Sequence, residues 1–306
     1  MADIGPEHWK SHFDNRFAVE YEEFERIIDE DGENSLGRVI NRFKCWEEAH
    51  LLSFNADKNS FDVVQKEWGE DTELLPTGLP TYTDMWAMGQ NFRALPYLKF
   101  ELGKFLYDYI NCQKLDVDCV VELGGGWGRN LFDLWHAGLS SEIKLYSADN
   151  STWGKKIALK LSSLCPDIPI VPVSFDIENP DFSFLTGEKR VLYFSHFTMM
   201  YISELKEEFF EKMTQANDKI TCIHFEPMGF QISKSQGYVS LVQNVEATLR
   251  NFNRNLINVL SDLKMRGKID LTHVYKELIP SRDRTHSTSI IIWEKMEKLI
   301  EENSGV

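Results

Sequence analysis

A glycine-rich turn between a predicted strand and a predicted helix constrains the fold of this chain more than any other feature. Residues 120–123 are apolar apart from Glu122, and a helical pattern begins at Arg129. Between them lie glycines at every second position, namely Gly124, Gly126 and Gly128. Glycine is needed where a chain reverses sharply and where a ligand lies against bare backbone. The segment therefore predicts a strand–turn–helix unit of a doubly wound α/β domain, with a ligand over the turn.

Acidic residues follow the next two predicted strands. Residues 143–148 form a strand pattern that ends at Asp149 and Asn150, and residues 168–173 form another that leads to Phe175 and Asp176. Asp149 follows Gly128 by about 20 residues, the spacing at which an acid accepts hydrogen bonds from ribose hydroxyls. Further strands are predicted at 191–195 and 220–225, and an antiparallel pair at 269–278 and 287–293.

The spacing of the glycines separates two kinds of nucleotide-binding turn. Dinucleotide-binding domains use G-x-G-x-x-G, whereas this chain has G-x-G-x-G after an acid. That pattern resembles motif I of the class I S-adenosylmethionine (SAM) dependent methyltransferases, and the run from Glu122 to Phe132 resembles bacterial enzymes of specialised metabolism. The resemblance implies a seven-stranded Rossmann-like sheet over residues 95–297. It also implies an N-terminal helical lid over residues 1–94. Residues 298–306 are expected to form a flexible tail, because terminal residues are commonly poorly ordered.

The resemblance assigns roles to residues around the turn. The acid of the motif holds the ammonium group of SAM, the glycines admit the methionine part, and the acids after the next strands hold ribose and adenine. Arg93 is a candidate clamp for the SAM carboxylate, or else a solvated loop arginine. Glu122 is the ammonium ligand or a cap of the turn. The predicted cofactor-binding residues are Glu122, Gly124, Gly126, Gly128, Asp149, Asn150, Phe175, Asp176, Ser195 and Arg93.

Three side chains near the ends of the fourth and fifth strands are candidates for catalysis. His196 follows the fourth strand, where a proton acceptor would face the methyl group. His224 and Glu226 alternate along the fifth strand, so they should face the same side of the sheet. Each has a structural alternative as a hydrogen-bonded core residue. In this fold, ligands gather at the carboxyl ends of the strands, so we predict that His196, Glu226 and His224 contact the acceptor.

Composition excludes several classes of function. The net charge is −15, and no basic block is present, which argues against a nucleic-acid substrate. The five cysteines include no C-x-x-C pair, which favours a reducing, cytoplasmic setting. No apolar run is long enough to span a membrane, residues 1–10 do not resemble a secretion signal, and no metal-ligand spacing occurs.

The N-terminal third predicts helices followed by a closing loop. Apolar residues recur at helical spacing within residues 15–55, and residues 56–95 are rich in prolines, glycines and aromatic residues. A helix is expected at 98–110 and one long helix at 241–263, with Leu241, Val245 and Leu249 facing the core. The N-terminal helices are expected to form the lid, and a homodimer interface is the alternative.

The function predicted from these features is methyl transfer from SAM to a nitrogen or oxygen of a small metabolite, with release of S-adenosylhomocysteine (SAH). An amino acid, a guanidine or amine, or a sugar-like acceptor fits. The alternatives are a peptide or protein methyltransferase and a SAM-binding regulatory subunit without activity. A nicotinamide-dependent oxidoreductase fits the glycine spacing less well.

Overall fold

The computed structural model of the protein describes residues 6–30, 35–55, 58–65, 83–87, 90–94, 100–233, 237–281 and 285–296, without the side chains of 6–8, 48, 83–86 and 90–94. The helices are α1 (Pro6–Glu30), α2 (Leu36–Ala49), α3 (Leu102–Cys112), α4 (Arg129–His136), α5 (Thr152–Ser163), α6 (Glu207–Ala216), α7 (Gly229–Ile232), α8 (Tyr238–Leu249) and α9 (Leu256–Met265). The strands are β1 (His50–Asn55), β2 (Ser60–Gln65), β3 (Thr83–Ala87), β4 (Gln90–Ala94), β5 (Cys119–Leu123), β6 (Lys144–Asp149), β7 (Ile170–Ser174), β8 (Arg190–His196), β9 (Lys219–Glu226), β10 (Ile269–Ile279) and β11 (Thr288–Lys295).

The main sheet has seven strands in the order β10-β11-β9-β8-β5-β6-β7. Strands β5 to β9 pair in parallel, whereas β11 is antiparallel to both β9 and β10. The strand order reverses between β5 and β8, which places their carboxyl ends at a topological switch point. The predicted doubly wound sheet with an antiparallel closing pair is confirmed.

Helices cover both faces of the sheet. All five residues of β5 are buried, which explains why the strand is apolar apart from Glu122 and does not alternate between apolar and polar residues. One face packs against residues such as Phe209 and Leu260, and the other against Leu106 and Phe132. Helix α1 joins both cores, because Trp9 packs in the first and Phe24 in the second. It therefore runs across the sheet from one layer to the other.

The single long helix predicted at 241–263 is wrong. The segment forms α8 and α9, separated by a turn in which Asn251 has a left-handed φ of 54°. Asn253 Oδ1 then accepts the backbone N–H of Leu256, the first residue of α9. The expected core-facing residues of α8 point outward, with exposed fractions of 49% for Leu241, 58% for Val245 and 51% for Leu249. The opposite face of α8 is buried instead, with Val239, Gln243 and Ala247.

The N-terminal region departs from the prediction in two places. Residues 50–55 form β1 rather than continuing a helix, and β1 pairs with β2 as an antiparallel hairpin. Asn59, in the turn between them, has a left-handed φ of 47°, a conformation that asparagine tolerates better than most residues. Within the expected closing loop the structure describes residues 58–65, which include β2, and the strands β3 and β4, and its other residues lie outside the described ranges. Helix α3 begins at Leu102, not at Leu98, which is also outside those ranges.

Candidate functional site

A cavity of about 420 Å³ lies at the carboxyl ends of the central strands, beneath α1. Its position is the one at which doubly wound domains bind ligands. The structure brings eight of the predicted site residues into its lining: Glu122, Gly124, Gly126, Asp149, Asn150, Phe175, Asp176 and His196. Gly128 and Ser195 are outside the lining, and Gly128 precedes the first residue of α4.

The turn requires glycine for two reasons: its backbone is left-handed, and a side chain at Gly126 would collide with α1. Gly124, Gly126 and Gly128 have φ values of 68°, 53° and 81°, which L side chains rarely adopt. A Cβ atom at Gly126 would lie 2.5 Å from the ring of Phe17 on α1. The Gly126 N–H donates to Asp149 Oδ2 at 2.9 Å. The turn is therefore held against the end of β6 on one side and covered by α1 on the other.

Glu122 presents an unsatisfied oxygen at this site. Its side chain is 3% exposed, and Oε1 accepts a hydrogen bond of 2.6 Å from Asn130 Nδ2. Oε2 is buried and has no hydrogen-bond partner among the described residues. Burial raises the pKa of Glu122 to about 8, although the bond from Asn130 lowers it. A buried carboxylate oxygen without a donor is unfavourable in the protein alone and would accept a hydrogen bond from a cationic ligand.

The acids after β6 and β7 already accept backbone hydrogen bonds. Asp149 Oδ1 accepts the Ser151 N–H at 2.6 Å, and burial raises the pKa of Asp149. Asp176 Oδ2 lies 3.1 Å from Lys10 Nζ. Burial raises the pKa of Asp176, but hydrogen bonds from the backbone of Glu178 and from Lys10 outweigh it, so the net shift is downward. Each carboxylate oxygen has a second lone pair that can accept a ligand hydroxyl or amine.

Buried polar contacts join α1 and α2 to the glycine turn. Trp127 Nε1–H donates to Glu20 Oε2 at 3.1 Å, and Arg16 Nε donates to Glu20 Oε1 at 2.7 Å. Glu20 is 1% exposed. Arg129 Nη1 donates to Glu47 Oε2 at 2.6 Å. Because Glu20 lies on α1 and Trp127 on the turn, separating the two would break a buried hydrogen bond to a carboxylate, so α1 is held over the cavity.

His196 is the one predicted catalytic residue that lines the cavity. Its imidazole is half-buried and lies beside Phe197, with ring centroids 4.4 Å apart. Burial, reinforced by the charge of Arg129, lowers the pKa of His196 to about 4. No hydrogen bond to the imidazole occurs among the described residues. The ring is therefore neutral near pH 7 and one nitrogen has a free lone pair, but the lowered pKa makes it a weaker base than an ordinary histidine.

His224 and Glu226 face the same side of β9, as predicted, but lie outside the cavity lining. Trp293 Nε1–H donates to His224 Nε2 at 3.0 Å, so Nδ1 carries the proton and donates to Ser195 Oγ at 3.0 Å. Ser195 donates in turn to Glu226 Oε1 at 2.7 Å. Burial lowers the pKa of His224 to about 3. This chain of fully buried groups favours a structural role for His224 and Ser195.

Glu226 supports the turn after β8. Its carboxylate accepts the backbone N–H groups of Thr198, Met199 and Met200 at 3.1, 3.0 and 3.3 Å. Burial raises the pKa of Glu226 to about 7, and the hydrogen bonds lower it. The turn leads to Tyr201, which lines the cavity. This geometry favours positioning of the cavity wall over direct contact between Glu226 and a substrate.

Sequence reasoning missed the cavity residues of α1. Trp9, Lys10, Phe13 and Arg16 line the cavity together with Phe17. The apolar stripe beginning at Phe17 extends back through Phe13 to Trp9 at intervals of four residues, a signal that could have placed the start of α1 earlier. His286 also lines the cavity, and nothing local in the sequence indicates it. The side chain of Arg93 lies outside the described residues, so its predicted role stays a prediction.

Membrane-spanning helices and metal-binding clusters are both absent from the described part of the chain. None of its helices is both long and apolar enough to cross a membrane. Among the same residues, no group of three or more histidine, cysteine, aspartate or glutamate side chains could hold a metal ion.

Comparison with known proteins found similarity at the level of structure. No family model and no curated protein sequence matches the chain. The plantazolicin methyltransferase BpumL in complex with SAH is 13% identical, with 65% of this chain and 83% of that one covered and a TM-score of 0.43. The pyocyanin biosynthetic protein PhzM is 15% identical, with coverages of 62% and 53% and a TM-score of 0.43. A SAM dependent methyltransferase from Aquifex aeolicus is 13% identical, with coverages of 64% and 93% and a TM-score of 0.39.

Proposed function

We propose that this protein is a SAM-dependent methyltransferase that transfers a methyl group to a nitrogen or oxygen of a small metabolite. The observation that carries the proposal is the buried, unpartnered Oε2 of Glu122 in the cavity beside the glycine turn. An ammonium group supplies the hydrogen bond and the positive charge that this oxygen lacks.

The other polar groups of the cavity fit the remaining parts of SAM. The backbone of the glycine turn and the first turn of α4 suit the carboxylate, because helix N-termini attract anions. Asp149 suits the ribose hydroxyls, with Asn150 beside it. Asp176 suits the adenine amine, and Phe175 suits the face of the ring. When bound, SAM supplies a methyl group on a positively charged sulfur, which a nucleophile can take without further activation.

The chain itself then has three tasks. Helix α1 excludes water from the cavity, which strengthens electrostatic interactions within it. The cavity walls orient the acceptor, a contribution that can reach several orders of magnitude in rate. His196, which is neutral near pH 7, accepts the proton that a hydroxyl or ammonium acceptor loses. A site with these three properties favours a catalytic protein over a subunit that only binds SAM.

The expectations about compartment, substrate class and domain organisation also belong to this proposal. The five thiols are free, which supports a reducing, cytoplasmic setting. The net charge of −15 supports a substrate other than nucleic acid. The lining of the cavity by α1 supports the lid rather than the dimer-interface role of the N-terminal helices. We propose the same division into residues 1–94, 95–297 and 298–306 that the sequence predicts.

Calorimetry with SAH tests cofactor binding, and mass spectrometry tests the transfer. Wild-type protein should bind SAH, Glu122→Gln should bind it at least about tenfold more weakly, and the exposed control Glu142→Gln should match wild type. Incubation of metabolite pools with protein and SAM should then yield a product heavier by one methylene. Absence of SAH binding would overturn the proposal. Binding without any methylated product, from metabolites or peptides, would favour the non-catalytic subunit.

A further inference from the structure

A second cavity of about 280 Å³ adjoins the first. The two share five lining residues, namely Trp9, Phe13, Arg16, Tyr201 and His286. The rest of its lining comes mainly from α8, from residues 227, 228 and 230, and from 252–253, with His12 of α1 also in the wall. A molecule bound there would therefore lie next to the contents of the first cavity, with α1 covering both.

Aromatic rings dominate the wall between the two cavities. The ring centroids of Trp9 and Tyr201 lie 5.0 Å apart, those of Phe13 and Tyr201 lie 4.8 Å apart, and Phe252 lies 5.3 Å from Trp9 and 5.2 Å from Tyr201. Phe230 adds a fifth ring to the lining. Such rings bind other rings by offset stacking and edge-to-face contact. An apolar cavity of about 150 Å³ holds a benzene molecule, so this one has room for about two fused rings.

Three polar side chains of the second cavity are engaged within the protein. Gln243 accepts the Gly229 N–H at 3.0 Å and donates to the Ser287 carbonyl at 2.7 Å. Asn253 Nδ2 donates to the Ile202 carbonyl at 2.8 Å. Glu246 is the one acidic residue among the described residues that line this cavity, and its carboxylate pairs with Arg250. Arg16, the other arginine of the lining, pairs with Glu20. The charged groups therefore neutralise one another, and Glu246 is not left as an unpaired carboxylate for a cationic ligand.

We propose that the second cavity binds the methyl acceptor, and that the acceptor is a flat, uncharged aromatic molecule of one or two rings that carries a hydroxyl group. The inference rests on the proposed methyltransferase function. The rings provide the affinity, and the hydroxyl extends past Tyr201 toward the first cavity, where His196 can accept its proton. An amine or guanidine acceptor, which the sequence left open, fits this lining less well because the carboxylate of Glu246 is already paired with Arg250.

Binding of model compounds to the SAH complex tests the inference without requiring activity. The probes are 1-naphthol, cyclohexanol as a non-aromatic alcohol, and phenyltrimethylammonium as an aromatic cation. We expect calorimetry to detect 1-naphthol at affinities at least about tenfold higher than either of the other two. Ala247→Phe places a ring in the second cavity alone and should abolish naphthol binding while SAH affinity stays unchanged. Val245→Phe, on the exposed face of the same helix, is the matched control and should bind both ligands.

The outcomes separate this inference from the proposed function. SAH binding without naphthol binding, or equal binding of cyclohexanol or of the cation, would overturn the aromatic acceptor and leave the cofactor assignment intact. Unchanged naphthol affinity in folded Ala247→Phe would also overturn it. If Ala247→Phe does not fold, Phe252→Leu replaces it and should weaken naphthol binding by about tenfold through the loss of one ring contact. Failure of SAH itself to bind would refute the proposed function instead.

Discussion

The pKa of Glu122 makes cofactor affinity depend on pH in a predictable way. Burial raises this pKa to about 8 in the protein without ligand, so the carboxyl is mostly protonated at pH 7. Binding of an ammonium group requires the ionised form, because a protonated carboxyl offers no charge to the ligand. Binding of SAH is therefore expected to displace a proton from Glu122.

The size of the effect follows from the ionised fraction. With a pKa of about 8, that fraction changes by about 70-fold between pH 5.5 and pH 7.5, and SAH affinity should rise by the same factor. At pH 6.5, close to one proton should be released for each SAH bound. Both quantities are measured by calorimetry in buffers that differ in ionisation enthalpy.

Glu122→Gln provides the control, because the amide oxygen can keep the hydrogen bond from Asn130 but cannot ionise. This variant should bind SAH weakly, with little dependence on pH. Stability without ligand gives an independent check. Because the folded pKa lies above the ordinary value of 4.5, the contribution of Glu122 to stability is present below about pH 4.5 and is lost as pH rises through about 8. A pH-independent SAH affinity in wild type, or an identical pH dependence in Glu122→Gln, would refute the reasoning.

Four further variants test the site. Asp149→Ala should weaken SAH binding by about 1–3 kcal/mol in calorimetry, the scale of hydrogen bonds to a charged acceptor, and unchanged affinity would contradict the ribose assignment. Gly126→Val should lower the melting temperature and abolish SAH binding, because its side chain strains the turn and meets Phe17; normal SAH affinity in the folded variant would contradict this. His196→Ala should reduce turnover by about 10²-fold while SAH affinity is retained, and wild-type rates would exclude a role as base. Glu226→Gln should lower the free energy of unfolding by about 2–4 kcal/mol, because the amide NH2 cannot accept the hydrogen bonds that the oxygen it replaces accepts; wild-type stability in chemical denaturation would contradict this positioning role.

Features that follow from a local sequence pattern were predicted correctly, whereas features that depend on residues distant in sequence were not. The glycine turn and Asp149 were predicted in place, because left-handed backbone and a strand followed by an acid are local patterns. The alternation of His224 and Glu226 correctly indicated a shared face of β9, since side chains alternate along any strand. It did not indicate that this face is sealed by Trp293 and the turn at 198–200, because that depends on elements distant in sequence.

The sequence by itself therefore determined the sheet, the turn and the acids at the strand ends, since each follows from hydrophobic periodicity or from a conformation that only certain residues adopt. Tertiary structure alone decided what covers them. Leu241, Val245 and Leu249 have the spacing of a buried helix face, yet α8 buries its other face. Likewise, α1 crosses the sheet, and Arg16 and Phe17 therefore line the cavity. Periodicity states that residues share a face, whereas the packing of neighbouring elements decides which face is buried and which side chains meet.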